Sequence, residues 1–319
     1  MYKVSVVIPV YNAEPYIERC IRSLYEQTLD SIEYIFVNDC SPDNSIDVLK
    51  RLMAEYPERA KSTIILEHEK NTGQSGARRD GMKIASGEYI IHCDADDWID
   101  LDMYESMYCK AKEDNVEAVC CDIVLEHENN SVVLRVNNEY EDHQLMYDCK
   151  APISVEYFSM CNRLVSRKVF ERNDITPFKG VNMWDDVGLS IRVRYHVKNT
   201  SVINKEFYHY NRMNEVSTTR RPLIDRTREQ NLCIACIEEF FKKENAWEQY
   251  KLFVSYLTFH SNEELFFSDA AAWRENIKKV KWDLWKIRKR FRSNRLVKFY
   301  TVGFGGFFGK LIWRQCWKR

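Results

Sequence analysis

Several things are missing from this chain of 319 residues, and each absence narrows what it is. It has no internal repeat and no low-complexity tract, which sets aside solenoids, propellers and disordered linkers. No secretory leader is expected, because an apolar strand begins at Val4, almost at the first residue. No disulfide framework is legible: the eleven cysteines are odd in number and scattered, and Cys120 and Cys121 are neighbours on one strand, where a bridge would be strained. Reduced thiols and a cytoplasmic location are therefore expected, and the sequons at Asn129 and Asn199 then carry no glycan. Cys233 and Cys236 form a C-x-x-C without a second ligand pair, which fits a helix core better than a zinc or redox site. The aromatic tail Phe299–Trp313 is too short and too interrupted to span a membrane. Finally, no Gly-rich basic phosphate loop follows the first strand, where Pro9-Val10-Tyr11-Asn12 stands instead.

What is present begins with a rhythm. Val4–Val10 is a buried-type strand, followed by a helix with apolar positions Ile17, Cys20, Ile21 and Leu24. A second strand, Glu33–Asn38, delivers Asp39 to its carboxyl end, and Ser41 and Asp43 offer capping oxygens to a helix through Val48, Leu49 and Leu52. A third apolar run, Ser62–Leu66, leads through Asn71–Gly81 into another helix, and Tyr89–Cys93 is a fourth strand. Strand alternating with helix predicts an α/β fold with a parallel sheet, and in such sheets ligands sit outside the carboxyl ends of the strands. Tyr11, Asp39 and Asp94 all fall on that edge.

The fourth strand ends in Asp94-Ala95-Asp96-Asp97. Three crowded carboxylates repel one another and are costly to desolvate without a partner, and hard divalent cations such as Mg²⁺ or Mn²⁺ suit their oxygens. Taken alone, a turn capping the next helix explains them as well. The preceding motifs tip the balance.

VSVVIPVYN, VNDCSPDNS, TGQSGARRDG and ASGEYIIHCDADD, in that order, closely resemble the family 2 glycosyltransferases, which use nucleotide sugars on the GT-A fold. The resemblance covers about the first 220 residues. It implies a Rossmann-like, mostly parallel sheet with helices on both faces, residues 1–220 forming the catalytic domain. Nucleotide-sugar binding is expected in about 1–97 and the acceptor side in about 98–220. By the same resemblance Tyr11 lies against a uracil ring, with Val10 and Pro9 as backbone contacts beside it. A core aromatic at a turn is the alternative for Tyr11. Asp39 resembles the acceptor for the uracil imide N–H, its alternative being a helix cap. Arg78 is expected near the diphosphate or on an active-site carboxylate, and Arg79 stands where the family usually has Asn. Asp94 and Asp96 carry the family's D-x-D, with Asp96 the direct metal ligand and Asp94 nearer the ribose or a metal-bound water. Asp97 is open between a part in the same acid motif and a cap for the helix starting near Leu101.

For the acceptor proton, Trp184-Asp185-Asp186 resembles the family's acidic pair, usually Glu-Asp. Asp186 is the expected base and Asp185 its supporting partner, a like charge and Trp184 both raising the base's proton affinity. A helix cap is the alternative. One base without a second carboxylate suited to be a nucleophile implies single displacement and inversion. The segment Phe207–Thr219 resembles the family's mobile cover, which brings Arg212 and His209 near phosphate, although either also suits packing.

Charge is unevenly spread. Residues 274–319 hold 15 Lys or Arg against two acids, a balance of +13, so that residues 1–273 carry −14 within a total of −1. Val280, Leu284, Ile287 and Phe291 recur at helical spacing among those cations. The pattern predicts, within a helical region 221–319, a basic amphipathic helix lying on an anionic membrane, peripheral on the inner face of the cell membrane. An ordinary helix packing its stripe inward is the alternative, and no nucleic-acid motif accompanies the basic patch. The combined expectation is transfer of a hexose or N-acetylhexosamine from a UDP-sugar to a saccharide or lipid-linked saccharide, with Mn²⁺ or Mg²⁺. A nucleotidyltransferase, or a non-catalytic glycan or membrane-surface binder, are the rivals. Release of pyrophosphate would mark the first, and absence of metal-dependent UDP release the second.

Overall fold

A computed structural model describes residues 1–138, 149, 153–215 and 220–287. The chain divides into two units, the first comprising Met1–Glu141 and Ser154–Arg220, the second continuing from Arg221. Ser217–Thr219 of the expected cover, and the stretch from residue 288 with Phe291 and the aromatic tail, lie outside the described residues.

The first unit runs β1 (Val4–Val10), α1 (Glu14–Tyr25), β2 (Ile32–Asn38), α2 (Ser45–Glu55), α3 (Pro57–Ala60), β3 (Thr63–Glu67), α4 (Gln74–Ile84), β4 (Tyr89–His92), β5 (Trp98–Ile99), α5 (Met103–Glu113), β6 (Ala118–Glu126), β7 (Ser131–Leu134), α6 (Val155–Phe158), β8 (Arg163–Ser166), α7 (Arg167–Arg172), α8 (Asp185–His196) and β9 (Thr200–Asn211). The strands form one sheet in the order β3-β2-β1-β4-β8-β6-β9-β5, with β7 paired to β6. β1 to β4 are mutually parallel, β6 and β9 are parallel to each other, and β8, β7 and β5 run antiparallel to their neighbours. It is the expected mostly parallel sheet, with the antiparallel strands confined to its second half.

Continuous apolar strands fit a sheet covered on both faces. Val4, Val6, Ile8 and Val10 of β1 pack with Ile17, Cys20, Ile21 and Leu24 of α1 and Met103 and Met107 of α5. Val7 packs on the opposite face with Ala77 and Met82 of α4 and Leu189 and Val193 of α8. Pro9 sits in this central strand because no ladder partner is lost. Val7 O accepts from Cys93 N at 3.1 Å, so the next residue facing that side is Pro9, and β4 has already ended at His92. Of the two expected caps, Asp43 alone serves α2, and both also serve the start of α1. Asp43 Oδ1 accepts from Ser45 N at the start of α2, while Asp43 Oδ2, Ser41 Oγ and Ser45 Oγ accept from Glu14, Asn12 and Ala13 N at the start of α1, at 2.8–3.1 Å.

The second unit holds α9 (Leu223–Lys243), α10 (Trp247–Asn262), α11 (Leu265–Ser268), α12 (Ala270–Lys278) and α13 (Lys281–Ile287). Here the expected membrane face is turned over. Leu284 and Ile287 of the apolar stripe are buried, and α13 packs on α10. Trp282 and Trp285 are the exposed large side chains, at 69% and 46%. Cys233 is buried within α9, and no disulfide joins any of the ten described cysteines. No helix among the described residues is long and apolar enough to cross a membrane.

Candidate active site

Because β1, β2 and β4 are parallel neighbours, their carboxyl ends lie at one edge and deliver Tyr11, Asp39 and Asp94 there. Tyr11 is 52% exposed, whereas Val10 is buried and its carbonyl accepts from Asp39 N at 3.0 Å. Asp39 is buried and already occupied. Its Oδ1 accepts from Thr72 N (2.7 Å) and Thr72 Oγ1 (2.9 Å) and meets His68 Nδ1 at 2.8 Å, and its Oδ2 accepts from Gly73 N at 2.8 Å. These contacts fix the loop before α4. Gly73 enters that helix at φ +78°, and a Cβ there would overlap the Asn182 side chain at 2.2 Å.

Past β4 the chain makes a turn, Asp97 N donating to Asp94 O at 3.1 Å. Its three acids are treated differently. Asp94 Oδ1 accepts from Arg78 Nη2 (2.7 Å) and Gln74 Nε2 (3.0 Å). Asp96 Oδ2 accepts from Asn214 Nδ2 at 2.7 Å, and burial, then the like charge of Asp94, pushes its pKa up to about 6. Asp97 is fully buried, and burial with its acidic neighbours raises it well above the carboxylate range. It accepts from Asn211 N at 2.8 Å and from Tyr208 Oη. The expectation of a cap for the next helix is thereby corrected. Asp97 fastens β9 beneath the turn, while Asp102 precedes α5.

Arg78 is the hub. With its side chain wholly buried, Nη1 donates to Asp185 Oδ2 at 2.7 Å and to Asp186 Oδ1, and Nη2 reaches Asp94. Burial alone would favour loss of its proton, but Asp185 and Asp94 raise its pKa further. Burial likewise raises Asp185, and Arg78 opposes that shift. The acid pair opens α8, where negative charge suits the helix amino terminus, after Trp184 in the left-handed region at φ 66°. The expectation that Asp185 and Trp184 set the character of Asp186 left out this cation. Adjacent Arg79 differs: its Nε lies 3.9 Å from Asp80, and Nη1 is buried without a hydrogen-bond partner among the described residues.

Two residues of the expected cover are placed otherwise. His209 stacks on Trp98 at 5.3 Å, with Arg19 over the other ring contact at 3.0 Å, and its nitrogens meet Glu126 and Asp100 at 2.8 and 3.1 Å. That is packing. Arg212 is exposed, its guanidinium 5.5 Å from the Tyr210 ring. Sequence reasoning missed Gln74, Asn214, Tyr208 and Asn182, the last accepting from Ser75 N and Oγ at 3.3 and 3.1 Å. Gln74 lies in TGQSGARRDG, and Tyr208 and Asn214 in the segment Phe207–Thr219, but none of the four has a charge to single it out.

A divalent cation fits the donor set. Among the described residues no group of three His, Cys, Asp or Glu is gathered for a metal. The rim therefore offers one or two carboxylates, the number of protein ligands with which Mg²⁺-type ions are commonly held. Asp96, its charge disfavoured by burial and Asp94, gains most from such an ion.

A mostly parallel α/β sheet bearing an acid turn and an acid pair on one rim is the architecture of GT-A glycosyltransferases. The chain belongs to glycosyl transferase family 2, whose profile matches residues 5–173, more than half of it. Among relatives, putative glycosyltransferase EpsH of Bacillus subtilis (strain 168) is 32% identical over 213 residues, which is 65% of this chain and 60% of EpsH. This chain therefore spans less than two thirds of that relative's length. The crystal structure of S. aureus TarS 1-349 with UDP-GlcNAc matches with a TM-score of 0.68 at 16% identity, covering 97% of this chain and 87% of that one. Mannosyltransferase PcManGT from Pyrobaculum calidifontis, in complex with GDP-Man and Mn²⁺, matches at 0.55 and 16% identity, covering 94% and 79%. At these identities the structural likeness concerns the fold.

Proposed function

We propose that this chain is an inverting glycosyltransferase, moving a hexose or N-acetylhexosamine from a UDP-sugar to a hydroxyl of a saccharide acceptor. The observation that carries the reading is the buried Arg78, which ties the acid turn to the acid pair through contacts at 2.7 Å. Tyr11 offers an exposed ring face for uracil beside the Pro9-Val10 backbone, and Asp39 retains one lone pair, on Oδ2, for the imide N–H.

Asp186 serves as the base because it is the accessible member of its pair, with 27% of its side chain exposed against 7% for Asp185. As the acceptor oxygen bonds to C1 of the sugar, the bond from C1 to the diphosphate oxygen breaks and the acceptor proton passes to Asp186. With no carboxylate assigned as nucleophile, the attack comes from the face opposite UDP and inverts the centre. Asp185 and Arg78 hold the base in place. Asp96, with Asp94 alongside, would hold Mn²⁺ or Mg²⁺, which would supply positive charge toward the departing diphosphate. Arg212, exposed beside Tyr210 rather than packed as His209 is, is proposed to meet the same phosphates. UDP-GlcNAc on TarS and Mn²⁺ on PcManGT belong to those proteins and favour this donor class and ion through the shared fold alone.

The acceptor is proposed to be lipid-linked, for capsule, exopolysaccharide or lipopolysaccharide, and met at an anionic cytoplasmic membrane face. Support comes from the exposed Trp282 and Trp285 with exposed Lys278, Lys279 and Lys286 around them.

The test is Asp186→Asn. Sugar transfer should fall by roughly 10²-fold or more, while UDP binding measured by calorimetry stays near wild type. Undiminished transfer would sink the assignment of the base.

A further inference from the structure

His68 follows β3 directly, is nearly buried, and belongs to none of the motifs above. Its backbone N donates to Asn38 O at 2.9 Å, which places its ring beside Asp39. Nδ1 lies 2.8 Å from Asp39 Oδ1 and 3.1 Å from Thr72 Oγ1, and Nε2 lies 3.5 Å from Asp80 Oδ2. An ionised carboxylate only accepts, so the proton shared with Asp39 sits on Nδ1. Together with Thr72 N and Oγ1, that donor gives Oδ1 three partners, which fix the carboxylate's orientation. Gly73 N takes one position on Oδ2. One acceptor position is left on Oδ2.

We infer that His68 is a positioning residue for nucleotide choice: by pinning Oδ1 of Asp39 against rotation it presents Oδ2 as the reader of the base. The inference rests on the reading of Asp39 as the uracil partner. A single fixed lone pair accepts from uracil N3–H, whereas cytosine presents a ring nitrogen lone pair at that place. Two acceptors then face each other, with nothing to relieve them. A carboxylate free to turn would discriminate less. His68 thus governs selectivity without touching the ligand.

The experiment measures binding of UDP and of CDP, and donor kinetics, for wild type and His68→Leu, His68→Asn, Thr72→Val and Asp39→Asn, with circular dichroism to check folding. His68→Leu should lose UDP affinity about tenfold with CDP little changed, so the UDP preference shrinks. The kinetic loss should fall on KM for the donor more than on kcat. His68→Asn should restore the preference, since its amide nitrogen can donate where Nδ1 did. Thr72→Val should lower it by less than His68→Leu. If His68→Leu folds and keeps the wild-type UDP to CDP ratio, or if His68→Asn behaves as His68→Leu does, the inference is overturned. Should His68→Leu not fold, an unchanged ratio in both His68→Asn and Thr72→Val supports retention of the donor in the first but overturns shared pinning of Oδ1 in the second. If Asp39→Asn leaves UDP affinity intact, the uracil reading itself fails and takes this inference with it. A loss in Asp39→Asn without one in His68→Leu overturns the inference alone.

Discussion

The rim above β1, β2 and β4 and the helical unit from Leu223 onward both bury polar side chains, to opposite ends. In the helical unit the cluster around Asn262 is neutral and its members satisfy one another. Asn262 donates to Asn231 Oδ1 at 2.9 Å and Thr258 O at 2.8 Å, and accepts from Asn276 at 2.7 Å. At the rim, Asp94, Asp185 and Asp186 share one guanidinium, and Asp96 and Asp97 crowd the same turn. A saturated neutral network fixes how helices sit against one another. A cluster with more negative than positive charge stores repulsion that a cation or a proton relieves. The difference teaches which buried polarity to read as architecture and which as chemistry.

The contrast breaks most visibly at Arg78. Arg78→Met strands three carboxylates, and the loss of stability in urea should be about 3–5 kcal/mol. A variant as stable as wild type would mean the cluster is not held by this cation. Asp96→Asn should do the reverse. The folded form binds the Asp96 proton more tightly than the unfolded chain, so this carboxylate favours folding at acid pH and loses that benefit as pH rises through about 6. In metal-free protein, Asp96→Asn should therefore gain on the order of 2 kcal/mol over wild type at pH 7.5. The gain should vanish toward pH 4, and a pH-independent difference would contradict the charge argument. Within the helical unit, Asn262→Ala should cost about 1–3 kcal/mol at any pH between 5 and 8 and leave UDP binding untouched. A change in UDP affinity would show that this network is not architecture alone. Smallest of all, Trp282→Ala with Trp285→Ala should alter stability by within about 0.5 kcal/mol, yet reduce sedimentation with anionic phosphatidylglycerol vesicles. Unreduced sedimentation would remove these side chains from any membrane contact.

Sequence patterns disclosed β1, β2 and β4 because their apolar, β-branched runs are local signals, and the acid turn because it ends one of them. Arg78 carried two expected placements, and tertiary packing selected the carboxylates. Asn214 and Gln74 were invisible because a neutral amide has no pattern until folding brings it to Asp96 or Asp94, from 118 and 20 residues away. Asp97 was misplaced as a cap, and His209 stayed open between phosphate and packing, for a related reason: β9 pairs with β5 and β6, and that pairing put His209 between Trp98 and Glu126 and Asp97 under Tyr208. Leu284 and Ile287 have the spacing of a stripe in any setting, but what covers a stripe depends on the neighbouring helix.

By itself, the order of residues determined the alternation of strands and helices, and with it the edge on which Tyr11, Asp39 and Asp94 emerge, since backbone periodicity and strand direction are properties of neighbours along the chain. Only the tertiary structure decided which acids share Arg78, which one His68 steers, and which side of α13 is covered. Those outcomes depend on charges and surfaces meeting across long separations, where desolvation and Coulomb attraction act between residues that no local pattern connects.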